Sequence, residues 1–334
     1  MTHCIAIDAM GGDGAPKIVF DGIAEFIKAN PATTAKFMVF GQEDVVRPFL
    51  TPLLSEYVTI QHAVEVVTGD TKPTAAVRMG KKTSMAMAID AVNNGLADAV
   101  ISAGNTGAFM ALSKILLKTF EGIDRPAIPA LIPSDKGCTL VLDLGANIEC
   151  SAENLVQFAV MGSVYMHKLM NIDKPSVGIL NVGSEDLKGN QVVQAAANFL
   201  RDHPLVNFHG FVEGDDITKA TVDVVVTDGF TGNIVLKAIE GTVRLFARQL
   251  KKSLSENVLS KLGALIAQPS LASFKRFVDP RLYNGAMFLG LRKIVIKSHG
   301  GTDGVGFATA IKVADEMVQR NVILDLQAGL EGIQ

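Results

Sequence analysis

Residues 4–13 read CIAIDAMGGD, a short apolar run that ends in aspartate and a turn carrying two glycines. The same pattern recurs five times. Apolar runs end in SAGNTG (102–107), DLGAN (143–147), NVGS (181–184), TDGFTGN (227–233) and KSHGG (297–301). A short apolar run closed by glycine and followed by a helical pattern reads as a parallel strand entering its crossover. In a parallel sheet such turns lie together at the carboxyl ends of the strands, where α/β proteins bind ligands. Glycine lets backbone approach a ligand, and the N–H groups that open the next helix favour anions. The six turns therefore predict a crevice that holds phosphate or another oxyanion.

Strand-like runs cover 4–7, 36–40, 58–61, 99–101, 127–132, 139–142, 176–180, 206–211, 222–226 and 293–296. Helical patterns fill many of the gaps, at 15–30, 85–93, 106–117, 154–170, 190–203 and 233–253. This alternation predicts an α/β fold with three α/β/α layers and a mostly parallel sheet. No fixed repeat and no low-complexity linker divides the chain, so one α/β/α domain over 1–334 is expected. A protruding amphipathic element is expected at 254–280. There Leu254, Val258, Leu259, Leu262, Leu265 and Ile266 form a helical stripe that Pro269 interrupts, and Leu271, Phe274 and Phe277 follow. Such a helix–break–helix forms a dimer contact, docks a partner, lies on a membrane surface or packs onto the core. Lys251, Lys252 and Lys261 beside it favour a surface role.

Hydrophobic residues make up 48% of the 334 residues, and the mean hydropathy is +0.30. Strands buried on both faces account for that bias. No apolar run reaches the roughly 18 residues of a membrane span. The first strand follows the first residue closely, with no basic region or cleavage site, so no signal peptide is expected. Cys4, Cys138 and Cys150 have no paired spacing, which argues against disulfides and zinc and for a cytoplasmic protein. A net charge of −3 gives no push toward nucleic acid. There is no Walker A loop, GxSxG elbow, HExxH or carboxylate cluster, so no metal, cofactor or covalent nucleophile is expected.

The turns supply the candidate site residues. Asp8, Gly11 and Gly12 make a tight turn that exposes backbone donors or merely shapes the loop. It lacks the GxGxxG spacing of a dinucleotide site. Ser102, Asn105, Thr106 and Gly107 combine side-chain donors with backbone access, although Asn105 or Thr106 also suits a helix cap. Asn147 closes the third turn. Lys188, on the glycine-flanked loop after the fourth, is a cation for phosphate or a developing oxyanion, or a solvated lysine. Asn233 serves catalysis or caps the helix it opens. Lys297, Ser298 and His299 bring an ammonium, a hydroxyl and an imidazole to one strand end.

Ten ordered segments resemble the bacterial phosphate acyltransferase family. They are IAIDAMGGD (5–13), GDTKPTAAVR with KKTSM (69–78, 81–85), SAGNTGAFMA (102–111), EGIDRPA (121–127), VLDLGAN (141–147), LVQFAVMGS (155–163), LNVGSEDLKGN (180–190), DGFTGNIVLKAIEG (228–241), YNGAMFLGL (283–291) and IKSHGGTD (296–303). Gly14, Ser184 and Gly301 depart from the family pattern. The resemblance implies a Rossmann-like fold akin to phosphotransacetylase and the isocitrate and isopropylmalate dehydrogenases. It implies acyl phosphate formation from acyl-acyl carrier protein and inorganic phosphate, with Lys188 and Asn233 as the catalytic pair. It further implies a homodimer, peripheral association with the inner face of the cell membrane, and delivery of acyl phosphate to a glycerol-3-phosphate acyltransferase. Two rival classes are a metal- and nicotinamide-dependent dehydrogenase and a non-catalytic phosphate or acyl sensor. Neither metal-ligand carboxylates nor a nicotinamide fingerprint is present to favour the first.

Overall fold

A computed structural model describes residues 3–330 of the chain. The predicted apolar runs form strands β1 Cys4–Asp8, β2 Lys36–Gly41, β3 Val58–His62, β4 Ala99–Ser102, β5 Ala130–Ser134, β6 Gly137–Leu142, β7 Ser176–Leu180, β8 Asn207–Val212 and β9 Val224–Val226. Two more, β10 Ala286–Met287 and β11 Ile294–Lys297, complete the set among the described residues. The fold is mixed α/β with mostly parallel pairing, as the alternation predicts. The strands are shared between two sheets, ordered β10-β11-β4-β1-β2-β3 and β5-β6-β9-β7-β8. Each sheet carries one antiparallel edge strand, β10 in the first and β5 in the second. The two sheets meet through paired backbone at Ala127 and Leu289, whose N–H groups each donate to the other's carbonyl at 3.0 Å.

Side-chain alternation explains the layers. Ile5 and Ile7 of β1 enter one core with Ile23, Phe26 and Phe307, whereas Ala6 enters a second core with Met85, Ile89 and Phe109. In the other sheet Leu140, Leu142, Val224 and Val226 join the first core, and Val141 and Val225 join the second. Successive strand residues point to opposite faces, so one core lies on each face of both sheets. Helices Lys17–Ala29 and Gly304–Gln319 cover the first face of the β1 sheet, and Ser84–Asn93 and Thr106–Leu117 cover its second. Ala152–Met170 packs on the first face of the β6 sheet.

The helix after β9 differs from its sequence reading. It runs from Gly229 to Leu254, capped by Asp228, whose Oδ1 accepts from Thr231 N at 2.8 Å. After an interruption at 255–257, where Asn257 caps the next helix, Val258–Ile266 and Gln268–Phe277 follow. The break falls at Ala267 and not at Pro269, which occupies the first turn of the last helix, where its missing N–H costs nothing. Leu259, Leu265 and Ile266 are 82%, 68% and 78% exposed, so these helices do not pack onto the core of this chain. Large apolar residues are exposed along the long helix too, from Phe230 and Ile234 to Leu245 and Phe246. No helix among the described residues is long and apolar enough to cross a membrane.

Candidate active site

The strand order sorts the six turns into two groups of three. In the first sheet β11, β4 and β1 are neighbours, and their registers align Lys297, Ser102 and Asp8 in one row. The buried Asp8 carboxylate accepts from Ser84 Oγ and Ser102 Oγ, both at 2.7 Å, and from Met10 N at 3.2 Å. Burial raises its pKa, and these bonds hold it back. Burial also pushes the Lys297 ammonium down to about 8, against the pull of the Asp8 charge. Lys297 Nζ donates to the Ser298 carbonyl. Asp13 N donates to Gly300 O at 2.9 Å, and Ser298 N to Ser102 O at 3.0 Å. A Cβ on Gly11 would sit 2.5 Å from Gly104 N, so only glycine lets these two turns touch backbone to backbone.

The side chains here divide by task. Ser102 donates to Asp8 and accepts from Gly104 N at 3.0 Å, which fixes the turn from below. Asn105 is the helix cap, accepting from Ala108 N at 2.9 Å, and its Nδ2 ties the 69–71 loop through Gly69 O and Thr71 O at 2.6 and 3.1 Å. Ser298 Oγ accepts from Asn284 Nδ2 at 2.9 Å, and Asn284 Oδ1 accepts from His299 N at 2.9 Å. His299 itself is exposed, with Nδ1 accepting from Gly301 N at 3.1 Å. Desolvation first, and then the charges of Lys237, Lys297 and Arg244, lower its pKa against the opposing Glu240. A neutral imidazole that accepts at Nδ1 carries its proton on Nε2, free to donate outward.

In the second sheet the C-terminal ends of β6, β9 and β7 are neighbours. Asp143, fully buried, accepts from Ile128 N at 2.9 Å, Ala146 N at 3.2 Å, Asn147 N at 2.7 Å and Asn147 Nδ2 at 3.0 Å. Asn147 Nδ2 also reaches Pro126 O at 2.8 Å. A Cβ on Gly232 would lie 1.9 Å from Asp143 O, so the β9 turn packs directly on the β6 turn. Asn233 follows in the second turn of its helix, exposed, with no side-chain hydrogen bond among the described residues. A Cβ on Gly145 would stand 3.6 Å from the Asn233 Cβ. Lys188 lies on the neighbouring loop, half-exposed, with Nζ 3.9 Å from Glu185 Oε1.

One turn of each group, 102–107 and 143–147, borders a cleft of about 270 Å³. Thr106 and Gly107, at the head of the helix Thr106–Leu117, form one wall with Lys114 from its last turn. Arg125, Gly145 and Asn147 form the other. The cleft joins a helix N-terminus, two cations and glycine backbone, a set that suits an oxyanion. Arg125 donates from Nη1 to Glu149 O at 3.2 Å and from Nε to Asp124 at 3.3 Å. Lys188, Lys297 and His299 do not line this cleft. Sequence reasoning did not single out Lys114, Arg125, Asp143 or Ser84. Lys114 lies eight residues past Thr106, two turns along one helix face, and that spacing was the available signal. Among the described residues no group of three or more His, Cys, Asp or Glu is placed to hold a metal.

A family model described as "Fatty acid synthesis protein" matches residues 3–325. The phosphate acyltransferase of Paramagnetospirillum magneticum is 51% identical over 317 residues, covering 94% of this chain and 90% of its own. That of Rhodospirillum centenum is 50% identical over 338 residues, covering 98% and 95%. In fold the chain is similar to a phosphotransacetylase from Streptococcus pyogenes, with TM-score 0.57, 17% identity and coverage of 99% and 95%. It is also similar to a 4-hydroxythreonine-4-phosphate dehydrogenase from Klebsiella pneumoniae, with TM-score 0.56, 14% identity and coverage of 96% and 99%.

Proposed function

From the premise that this chain belongs to the fatty acid synthesis protein family and is an enzyme that transfers acyl groups to phosphate, we propose that its acyl donor is the thioester of acyl-acyl carrier protein. The observation that carries the reading is the cleft between the 102–107 and 143–147 turns, lined by a helix N-terminus at Thr106 and Gly107 and by the cations Lys114 and Arg125.

Inorganic phosphate binds in this cleft to Thr106 Oγ1, the backbone N–H groups near Gly107, and the two cations. Asp8, Ser102, Asn105 and Asn147 position those groups through the bonds described above. One phosphate oxygen attacks the thioester carbonyl carbon, forming a C–O bond while the carbonyl electrons move onto oxygen. Lys188 and Asn233, on the adjacent second group of turns, stabilise that oxyanion; one well-aimed donor contributes about 3–4 kcal/mol. The oxyanion collapses, the C–S bond breaks, and the carrier thiolate leaves and takes a proton from solvent. Phosphate is already an anion at neutral pH, so no strong base is needed. Holding the two reactants in line removes up to about 7–11 kcal/mol of barrier. Lys297 and the outward Nε2–H of His299 complete the positive rim that receives the substrate's anionic groups.

The exposed helices 229–277 give the protein a surface for a homodimer and for the membrane. Their apolar residues are interleaved with Lys251, Lys252, Lys261, Lys275 and Arg276, which suits anionic lipid and an acidic carrier. The product, a mixed anhydride, would then be passed to a glycerol-3-phosphate acyltransferase at the inner face of the membrane. The test is acyl phosphate formation from acyl-acyl carrier protein with and without phosphate. Product that appears only with phosphate is the expected result. A folded enzyme that binds phosphate but leaves the thioester intact sinks the reading.

A further inference from the structure

A second cavity, of about 390 Å³, lies between the two antiparallel edge strands, β5 and β10. Ala130 and Leu131 of β5 form one side, Ala286 and Met287 of β10 the other, and Val313 and Met317 the floor. Its volume falls within the roughly 300–1,000 Å³ of small-molecule sites, and its strand and helix walls are apolar, with Asn284, Glu316 and Arg320 among its lining residues. Tyr165 reaches it as a neutral phenol, its pKa pushed up to about 12 by burial.

Two observations fix the cavity's direction. At its upper end stands Asn284, whose side chain holds Ser298 Oγ and His299 N, so the cavity begins at the carboxyl rim of the first sheet. Met170 and Arg320 border it where the helices Ala152–Met170 and Gly304–Gln319 end. In a parallel α/β layer those helix ends lie opposite the strand carboxyl ends, so the cavity runs down from the rim. Its other border, Leu282 and Tyr283, is exposed and lies near the last protruding helix, with Tyr283 Oη donating to Phe277 O at 3.2 Å. The exposed helices therefore adjoin one border of the cavity, and the turn that carries His299 adjoins another.

We propose that this cavity receives the hydrocarbon chain of the acyl group and sets which chain lengths the enzyme accepts. The inference rests on the acyltransferase reading above and adds the place of the chain to it. A linear apolar chain is the occupant because the enzyme's substrate carries one and because the cavity starts at the carboxyl rim of the first sheet, beside the turn that carries His299. Each methylene buried in it adds to binding, so truncating the cavity penalises long chains and spares short ones.

Leu131→Trp and Val313→Trp, from opposite sides, test the point, with thermal melts selecting the variant that stays folded. The kcat/KM ratio of a sixteen-carbon to an eight-carbon acyl-acyl carrier protein is expected to fall about tenfold or more, with the eight-carbon rate within about twofold. Binding of cis-parinaric acid, followed by its fluorescence, should weaken in parallel without any turnover. An unchanged ratio, or an equal loss for both chains in a folded variant, overturns the inference. So does a changed elution volume with an intact chain profile, which would make the cavity a contact with a second copy. A wild-type enzyme that makes no acyl phosphate from either chain defeats the function itself, and the parinaric acid result then judges the cavity alone.

Discussion

Asp143 accepts four hydrogen bonds while fully buried, so its value lies in what it would orphan. Asp143→Ala leaves buried donors at Ile128, Ala146 and Asn147 unpaired, each worth about 1–3 kcal/mol. The expected loss is about 3 kcal/mol or more by urea denaturation, and a loss under about 1 kcal/mol would contradict this role. Lys297 makes a pH prediction with a definite sign. Its amine is charged below about 8 and neutral above it, because burial outweighs the attraction of Asp8. If that charge helps hold anions at the rim, the KM for phosphate rises as pH passes through about 8. Lys297→Met should flatten the profile, and an unchanged profile in the folded variant removes Lys297 from the anion field. Lys188 should behave differently. Lys188→Ala is expected to lower kcat by about 100-fold or more with the fold intact, since its exposed side chain supports no packing.

At the scale of elements, the turns were legible and their grouping was not. The spacing of DLGAN and TDGFTGN announced two strand ends, yet nothing in either segment says that Gly232 rests on the Asp143 carbonyl. That contact depends on β6 and β9 being neighbours, which is a matter of tertiary order. Gly232→Ala should therefore abolish folding or activity, whereas Gly241→Ala, with open space around it, should stabilise the helix by about 0.5–1 kcal/mol. Asp228, not Asn233, caps the long helix, which leaves Asn233 exposed beside Gly145. The apolar stripe of 254–280 was readable as amphipathic, but a stripe looks the same whether it faces a core or nothing. Replacing Leu265 and Ile266 together with Asp tests the membrane reading: flotation with anionic liposomes is expected to drop, while catalysis on soluble acyl-acyl carrier protein persists. Flotation that survives the double change sinks the surface role of this helix.

The whole molecule has two sheets but shares its cores between them, since alternate strand residues from both sheets enter the same two clusters. We therefore propose that it unfolds as one unit, and two separated calorimetric transitions would argue for two domains. The alternation of apolar runs and helical patterns along the chain announced the α/β class, but β10 was missed, because two residues carry no periodicity. Arg125 was missed for a related reason: it precedes Pro126 in a connection between sheets, where no strand end marks it. The account as a whole depends on the two groups of turns gripping one phosphate between them. The direct measurement is the KM for phosphate in Thr106→Val, from one wall, and Arg125→Gln, from the other. Losing a charge-assisted bond worth about 1.5–3 kcal/mol should raise it about tenfold or more for Arg125→Gln and by a smaller factor for Thr106→Val, with the KM for acyl-acyl carrier protein within about twofold in both. A phosphate KM that moves for one wall and stays at the wild-type value for the other would contradict a shared cradle.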